Sequence, residues 1–330
     1  ELNILQAQNF DELDVDSIVN ASGEMSTRYI NNDGVITATG GVLADDIDNN
    51  ADATLNAFSD VAVTDTLNNK LGAQLNQKGD VSAESVINNG NWRILAADDG
   101  DATRHISTET LTGSGTFSLD AAAESVGSLK LTQTEDSTFD GVIEGFGSVE
   151  KAGDGHLNIS NAHTFTGGLD VTGGTIDTTA GGTLADTGTV HIFENSTFIA
   201  GTDDKVGSVE IDAAGDFELN ADIETVTDFT NNGTASLTAT RTLTTGGGLA
   251  GAGLITINNG ALNLAQAGET TYSGAMTGAG GFAKGGEGEL TLNGAEDSID
   301  LTGGVAISDG KLILDSVNTL DDELDVSVFG

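Results

Sequence analysis

From about residue 111 onward, apolar and polar positions alternate in short runs. They include Phe117/Leu119, Leu129/Leu131, Leu157/Ile159, Leu169/Val171, Val190/Ile192, Val209/Ile211, Phe217/Leu219, Ile255/Ile257, Leu262/Leu264, Leu290/Leu292, Val305/Ile307 and Leu312/Leu314. Side chains two apart share one face of a strand, so each run turns an apolar face inward and a polar face outward. Gly, Asn, Asp and Thr fill the gaps between runs, as turns require. The pattern predicts an all-β fold of short strands and tight turns.

Evenly spaced short strands also suit a sandwich or a barrel, and internal repetition separates these from a solenoid. Lys151, Gly153, Gly155, Leu157 and Ile159 recur as Lys284, Gly286, Gly288, Leu290 and Leu292, an offset of 284 − 151 = 133. Gly167, Gly168, Val171, Gly174 and Ile176 then recur as Gly303, Gly304, Ile307, Gly310 and Leu312, an offset of 136 after a short insertion. Such repeats cannot bury their apolar face alone and must stack on neighbours. The expectation is a single right-handed parallel β-helix, a β-solenoid, over most of 1–330, with coils about 4.8 Å apart. Regular coils are expected over 111–330, carrying the repeats at 147–176 and 281–314. Residues 1–110 are expected to form an N-terminal cap or irregular coils, and Leu67, Leu71 and Leu75 are spaced by four, as along a helix.

Composition sharpens this picture. Gly is 46 of 330 residues and Pro is absent, as suits a chain with many ladder donors and few edges, because proline removes a donor and survives mainly at edges. Aromatic residues are 5 %, so small aliphatics must fill the core. Zero Cys removes disulfides, thiolate metal sites and thiol nucleophiles together. The 52 acidic and 11 basic residues give a net charge of −41, which repels phosphate backbones and anionic lipid surfaces and argues against nucleic acid as a partner. No apolar run reaches the roughly 18 residues of a membrane span, and Glu1 opens no signal-peptide pattern. The chain reads as a mature or excised form, with no membrane insertion of this segment.

The sequence Lys-x-Gly-x-Gly-x-Leu-x-Ile/Leu, followed by Thr-Gly-Gly and Gly-x-Ile/Leu, resembles the passenger-associated repeat of autotransporter proteins. The match covers 147–176 and 281–314, and loosely Gly247 to Ile255. The resemblance implies a right-handed parallel β-helix secreted to the surface of a Gram-negative bacterium and serving adhesion, aggregation or biofilm formation. The sequence departs from the family where Ser298, Ile299 and Asp300 replace the aromatic segment that His163 and Phe165 approximate, and it holds no translocating barrel.

Candidate chemistry is diffuse. A polysaccharide-active β-helix enzyme would need paired carboxylates in one groove, but Asp136/Asp140, Asp203/Asp204, Asp321/Asp322 and Glu287/Glu289 lie in turn-like stretches. Arg28, Arg93, Arg104 and Arg241 are dispersed, and Trp92, Tyr29 and Tyr272 are isolated. His156, His163 and His191 sit in strand-and-turn context, which does not offer helical ligand spacing. Weak calcium candidates are Asp297 and Asp300, in a stretch faintly like the nonapeptide of calcium-binding β-rolls, and Asp98 and Asp101. No cofactor is expected to be required, and Ca²⁺ is the one ion the acidic turns suggest.

The chain therefore reads as a non-enzymatic, secreted bacterial surface protein that self-assembles into a filament, layer or biofilm matrix. The alternative is a passenger-type adhesin that binds glycans or cell-surface proteins. Assembly would use the strand edges, which are templates for pairing: Glu1, Leu2 and Ile4 at one end and Leu324, Val326, Val328 and Phe329 at the other, with copies of the chain joined end to end.

Overall fold

The computed structural model describes residues 1–95, 103–119, 121–122, 125–315, 320 and 324–329. All regular structure in them is β; apart from the short antiparallel pair of Ala121–Ala122 with Ser125–Val126, it lies in parallel stacked sheets that form a β-solenoid of about 15 turns. The chain divides into two compact units, Glu1–Gly167 and Gly168–Gly330.

In the first unit, nine parallel strands run in order from Leu2–Ile4 through Val35–Ala38 and Gln74–Gln77 to Thr164–Phe165. Register fixes the coil length. Ile18 pairs with Val35, Val35 with Thr54 and Thr54 with Gln74, steps of 17, 19 and 20 residues. The step widens to 25 between Asn91 and Thr116 and to 26 between Thr116 and Val142. Inward and outward positions alternate along each strand. In Thr54–Ala57, Leu55 and Ala57 are buried while Thr54 and Asn56 face out.

Coils of this unit are stacked from Leu2 onward, within the stretch whose pattern predicts a cap or irregular coils. The helical spacing of Leu67, Leu71 and Leu75 is overturned. Leu67 and Leu75 lie in the strands Thr66–Asn69 and Gln74–Gln77 with 0 % exposure, whereas Leu71 lies in the turn between them at 78 %. A four-residue spacing across a tight turn imitates one helical face.

What obscures these first coils is a polar column inside the stack. Asn32, Asn49, Asn69 and Asn88 are each 0 % exposed. The Asn32 Nδ2 donates to Asn49 Oδ1 at 2.7 Å, Asn49 Nδ2 to Asn69 Oδ1 at 2.8 Å, and Asn69 Nδ2 to Asn88 Oδ1 at 2.9 Å. Each amide also donates to a backbone carbonyl, as Asn49 does to Gln74 O at 2.8 Å. The column satisfies groups that would be costly if buried alone. Higher in the same unit the core turns aromatic, with the rings of Trp92 and Phe117 5.2 Å apart and those of Phe117 and Phe139 5.3 Å apart.

The second unit repeats the plan with three sheets and steps of similar length, such as Asp216 to Thr234, Thr234 to Leu254 and Leu254 to Ala275. Its interior holds Ile, Leu and Val with a stack of Phe198, Phe217 and Phe229. Trp92 and Tyr272 also lie in the core, both 0 % exposed.

Candidate assembly edges and the lateral face

Hydrogen bonding extends the sequence repeat toward its N-terminal side. Gln133 and Gln266 are 133 apart and fully buried. The first donates to Glu135 O, Ser137 Oγ and His156 O, the second to Gly268 O, Thr270 Oγ and Glu289 O, each acceptor again 133 apart. One coil on, Lys151 and Lys284 are buried with the same contacts to the carbonyls of the next two residues. The matching stretches therefore begin near Leu129 and Leu262, one coil before the motif at Gly147. At the far end, Thr183, Leu184, Asp186, Val190, Ile192 and Phe193 recur at offset 136 as Thr319, Leu320, Asp322, Val326, Val328 and Phe329.

This correspondence places the second set of edge residues. Leu169 pairs in parallel with Val190, and their counterparts Val305 and Val326 pair in the same way. In the earlier copy the strand Thr189–Ile192 is covered by Ser208–Ile211, with Val190 against Val209 and Ile192 against Ile211. Val190 is 1 % and Ile192 0 % exposed, whereas Val326 is 45 % and Val328 72 %. Phe329 is 63 % exposed, and Leu324 is half-buried beside this strand. At the other edge Leu2 is 42 % exposed and Leu5 77 %, while Ile4 is 3 % exposed, inside the first coil. The Glu1 carboxylate accepts from Asn20 Nδ2 at 3.0 Å.

The acidic residues brace the stack. Asp46, Asp60, Asp80 and Asp136 accept the backbone N–H of Thr66, Asp80, His105 and His156 one coil on, at 2.9–3.1 Å. Asp203, Asp222 and Asp228 do the same for Asp222, Thr242 and Gly248. Asp204 is half-buried and accepts from Leu184 N–H at 2.7 Å; desolvation pushes its carboxyl up to about 6. Asp140 accepts from Ser160 Oγ, and Glu289 pairs with Lys311 at 2.9 Å. These acids therefore act as individual braces at different corners.

Asp297 holds a left-handed turn (φ 52°), and Asn161, 136 residues earlier, holds the same turn at φ 71°. Asn and Asp tolerate that conformation better than other non-glycine residues, which gives Asp297 a backbone role. Asp300 projects from the strand Ile299–Leu301 and is exposed. Among the described residues, no three His, Asp or Glu side chains converge as a metal site would require. Asp98, Asp101 and the pair Asp321/Asp322 lie outside the described residues. Of the histidines, His163 is 1 % exposed and accepts the Ile143 N–H on Nδ1 at 3.0 Å, and burial pushes its imidazole down to about 4. His191 stacks on Phe193 at 3.9 Å with Asp212 3.3 Å from Nε2. Arg28 forms an exposed pair with Asp11 at 3.1 Å.

One side of the first unit differs from the rest in charge. The outward residues of Ile18–Ala21, Val35–Ala38, Thr54–Ala57 and Gln74–Gln77 are Ile18, Asn20, Val35, Thr37, Thr54, Asn56, Gln74 and Asn76, all uncharged. The adjacent strands add Asn91, Arg93, Thr116 and Ser118. Asn76 Nδ2 donates to Asn56 Oδ1 at 2.8 Å and Asn56 Nδ2 to Thr37 Oγ1 at 3.1 Å, so the amides form an external ladder. By contrast Glu12, Asp14, Asp46 and Asp48 project from another side of the same coils. Compared with protein-family models, curated proteins and solved structures, the chain matches none.

Proposed function

We propose that this chain is a non-catalytic structural protein of the bacterial exterior that assembles by coil-edge stacking into a filament, layer or matrix. The carrying observation is the contrast between Val190 and Ile192, buried under the next coil, and their repeat counterparts Val326 and Val328, left 45 % and 72 % exposed. A parallel strand bearing aliphatics, like the one with Val209 and Ile211, is what covers this surface in the earlier copy. In end-to-end assembly the strand Leu2–Ile4 of a second copy supplies its edge with the exposed Leu2, Ile4 being already enclosed by its own coil. Unpaired strand edges favour such addition. The resemblance to autotransporter passenger repeats supports a secreted, cell-surface setting.

Charge sets the conditions. Glu1, Asp11, Glu12, Asp14 and Asp16 lie near one edge and Asp309, Asp315 and Asp325 near the other, so two edges repel at low ionic strength. Calcium or salt screens that repulsion. An adhesin is the second reading, supported by the uncharged lateral face.

Negative-stain imaging and sedimentation of the purified chain, with and without millimolar calcium, test the proposal. Ordered filaments or sheets are expected, and Val328→Asp is expected to abolish them. A chain that stays monomeric at high concentration with calcium present overturns edge stacking.

A further inference from the structure

We infer that the uncharged lateral face of the first unit binds an extended neutral polysaccharide. The inference rests on that face and is independent of edge stacking.

In a chain of net charge −41, the face from Ile18 to Asn76 carries no carboxylate at any outward strand position. Its polar groups are amides and hydroxyls. An amide offers donors and an acceptor together, and a hydroxyl offers both, which matches sugar hydroxyls. The face recurs coil by coil at about 4.8 Å, so a polymer lying along the stack meets equivalent groups again and again. Weak contacts then add through effective concentration.

The ladder is already ordered. The bonds from Asn76 to Asn56 and from Asn56 to Thr37 hold these side chains in place, which lowers the entropic cost of binding. Apolar surface is concentrated here too: Ile18 stands on the face at 45 % exposure, and Leu5, Phe58 and Leu71 border it at 77 %, 39 % and 78 %. Such surface suits the C–H faces of sugar rings.

Charge selects among partners. Asp16, Asp33 and Asp52 are exposed along one rim of the face, so an anionic polymer is repelled. A second copy carries another −41 over its whole chain, whereas a neutral polymer carries none.

The test is affinity electrophoresis of the full chain through gels containing a soluble neutral β-glucan or alginate, with sedimentation run in parallel. Retardation by the neutral glucan alone is expected. Asn56→Asp and Gln74→Glu should each weaken it about tenfold or more, while Ser82→Asp, on another side of the same coils, should not. Should Asn56→Asp unfold the protein, Gln74→Glu carries the comparison, because Gln74 is exposed and lies outside the ladder. Absence of retardation by the neutral glucan overturns the inference, as does retardation that both variants retain. Pairing of copies that Gln74→Glu abolishes, with no glucan binding, overturns it in favour of a protein partner.

Discussion

Lys151 and Lys284, 133 residues apart, make the same contacts. Each ammonium is 0 % exposed and donates to the carbonyls of the next two residues, Ala152 and Gly153 at 3.1 and 3.0 Å, and Gly285 and Gly286 at 2.8 and 2.9 Å. The lysine of the repeat motif therefore closes the turn from inside, and Lys151→Met should destabilise the chain by about 2 kcal/mol, the cost of losing hydrogen bonds from a charged donor. Urea midpoints measure it.

Burial pushes Lys151 down to about 8 and lowers Lys284 as well. The folded chain then releases this proton at lower pH than the unfolded chain, whose lysine titrates near 10.5. Between those values the unfolded state binds more protons, so stability rises with pH, by about 3 kcal/mol for a shift of this size. Lys151→Met should lose that rise in unfolding free energies measured from pH 8 to 10. An equal slope in both proteins would place the ammonium in solvent.

His163 follows the same sign in a more acidic window. Its imidazole is held down to about 4 by burial against an ordinary value of 6.5, so stability is full above pH 6.5 and falls as the unfolded histidine takes up a proton between 6.5 and 4. The loss is about 3 kcal/mol. In the second copy Ile299 replaces His163, and the Met276 N–H, counterpart of the Ile143 N–H, donates to Ser298 O at 2.8 Å instead. His163→Ile should therefore flatten this part of the acid profile while costing about 1–3 kcal/mol at pH 7 for the stranded Ile143 donor. Denaturation at pH 7 and pH 4.5 checks both.

Asn69 accepts from Asn49 and donates to Asn88. Asn69→Leu strands a donor below and an acceptor above, and should cost about 3 kcal/mol. Replacing Asn49 together with Asn69 should cost less than the sum, because the two share a bond. A double-mutant cycle on melting curves measures the coupling.

Gly145 and Gly278 occupy φ 113° and 123°, and a Cβ there would lie 2.2 Å from Leu119 O and 2.4 Å from Ile257 O. Gly278→Ala must distort the coil below, and about 2–4 kcal/mol of destabilisation is expected from strain and clash together. Unchanged melting would show that the coil can relax.

The sequence made the period-2 strands, the glycine corners and the central part of the repeat legible, because aliphatics at every second position and glycine at strained turns each have one dominant physical cause. The first coils were harder to see because Asn32, Asn49, Asn69 and Asn88 occupy inward positions that hydropathy scores as outward. Leu67, Leu71 and Leu75 show the converse error, in which spacing alone mixes two strands with a turn. Ile4 looked like an edge residue from its place in the chain, yet the first coil encloses it. Neither the uncharged face nor the full repeat could be read from composition: the face assembles residues 17 to 20 apart, and the lysine and glutamine contacts appear only once coils are stacked.

Several corners use Asn where others use Asp: Asn89 and Asn232 accept the backbone N–H of Ser114 and Ala252 one coil on, as Asp80 and Asp228 do for His105 and Gly248. An acceptor oxygen is all these corners ask for, so at such positions shape and charge are independent variables. Each Asp-to-Asn exchange at such a corner removes one negative charge while keeping the acceptor, so the scaffold's charge can be lowered stepwise without redrawing a single coil.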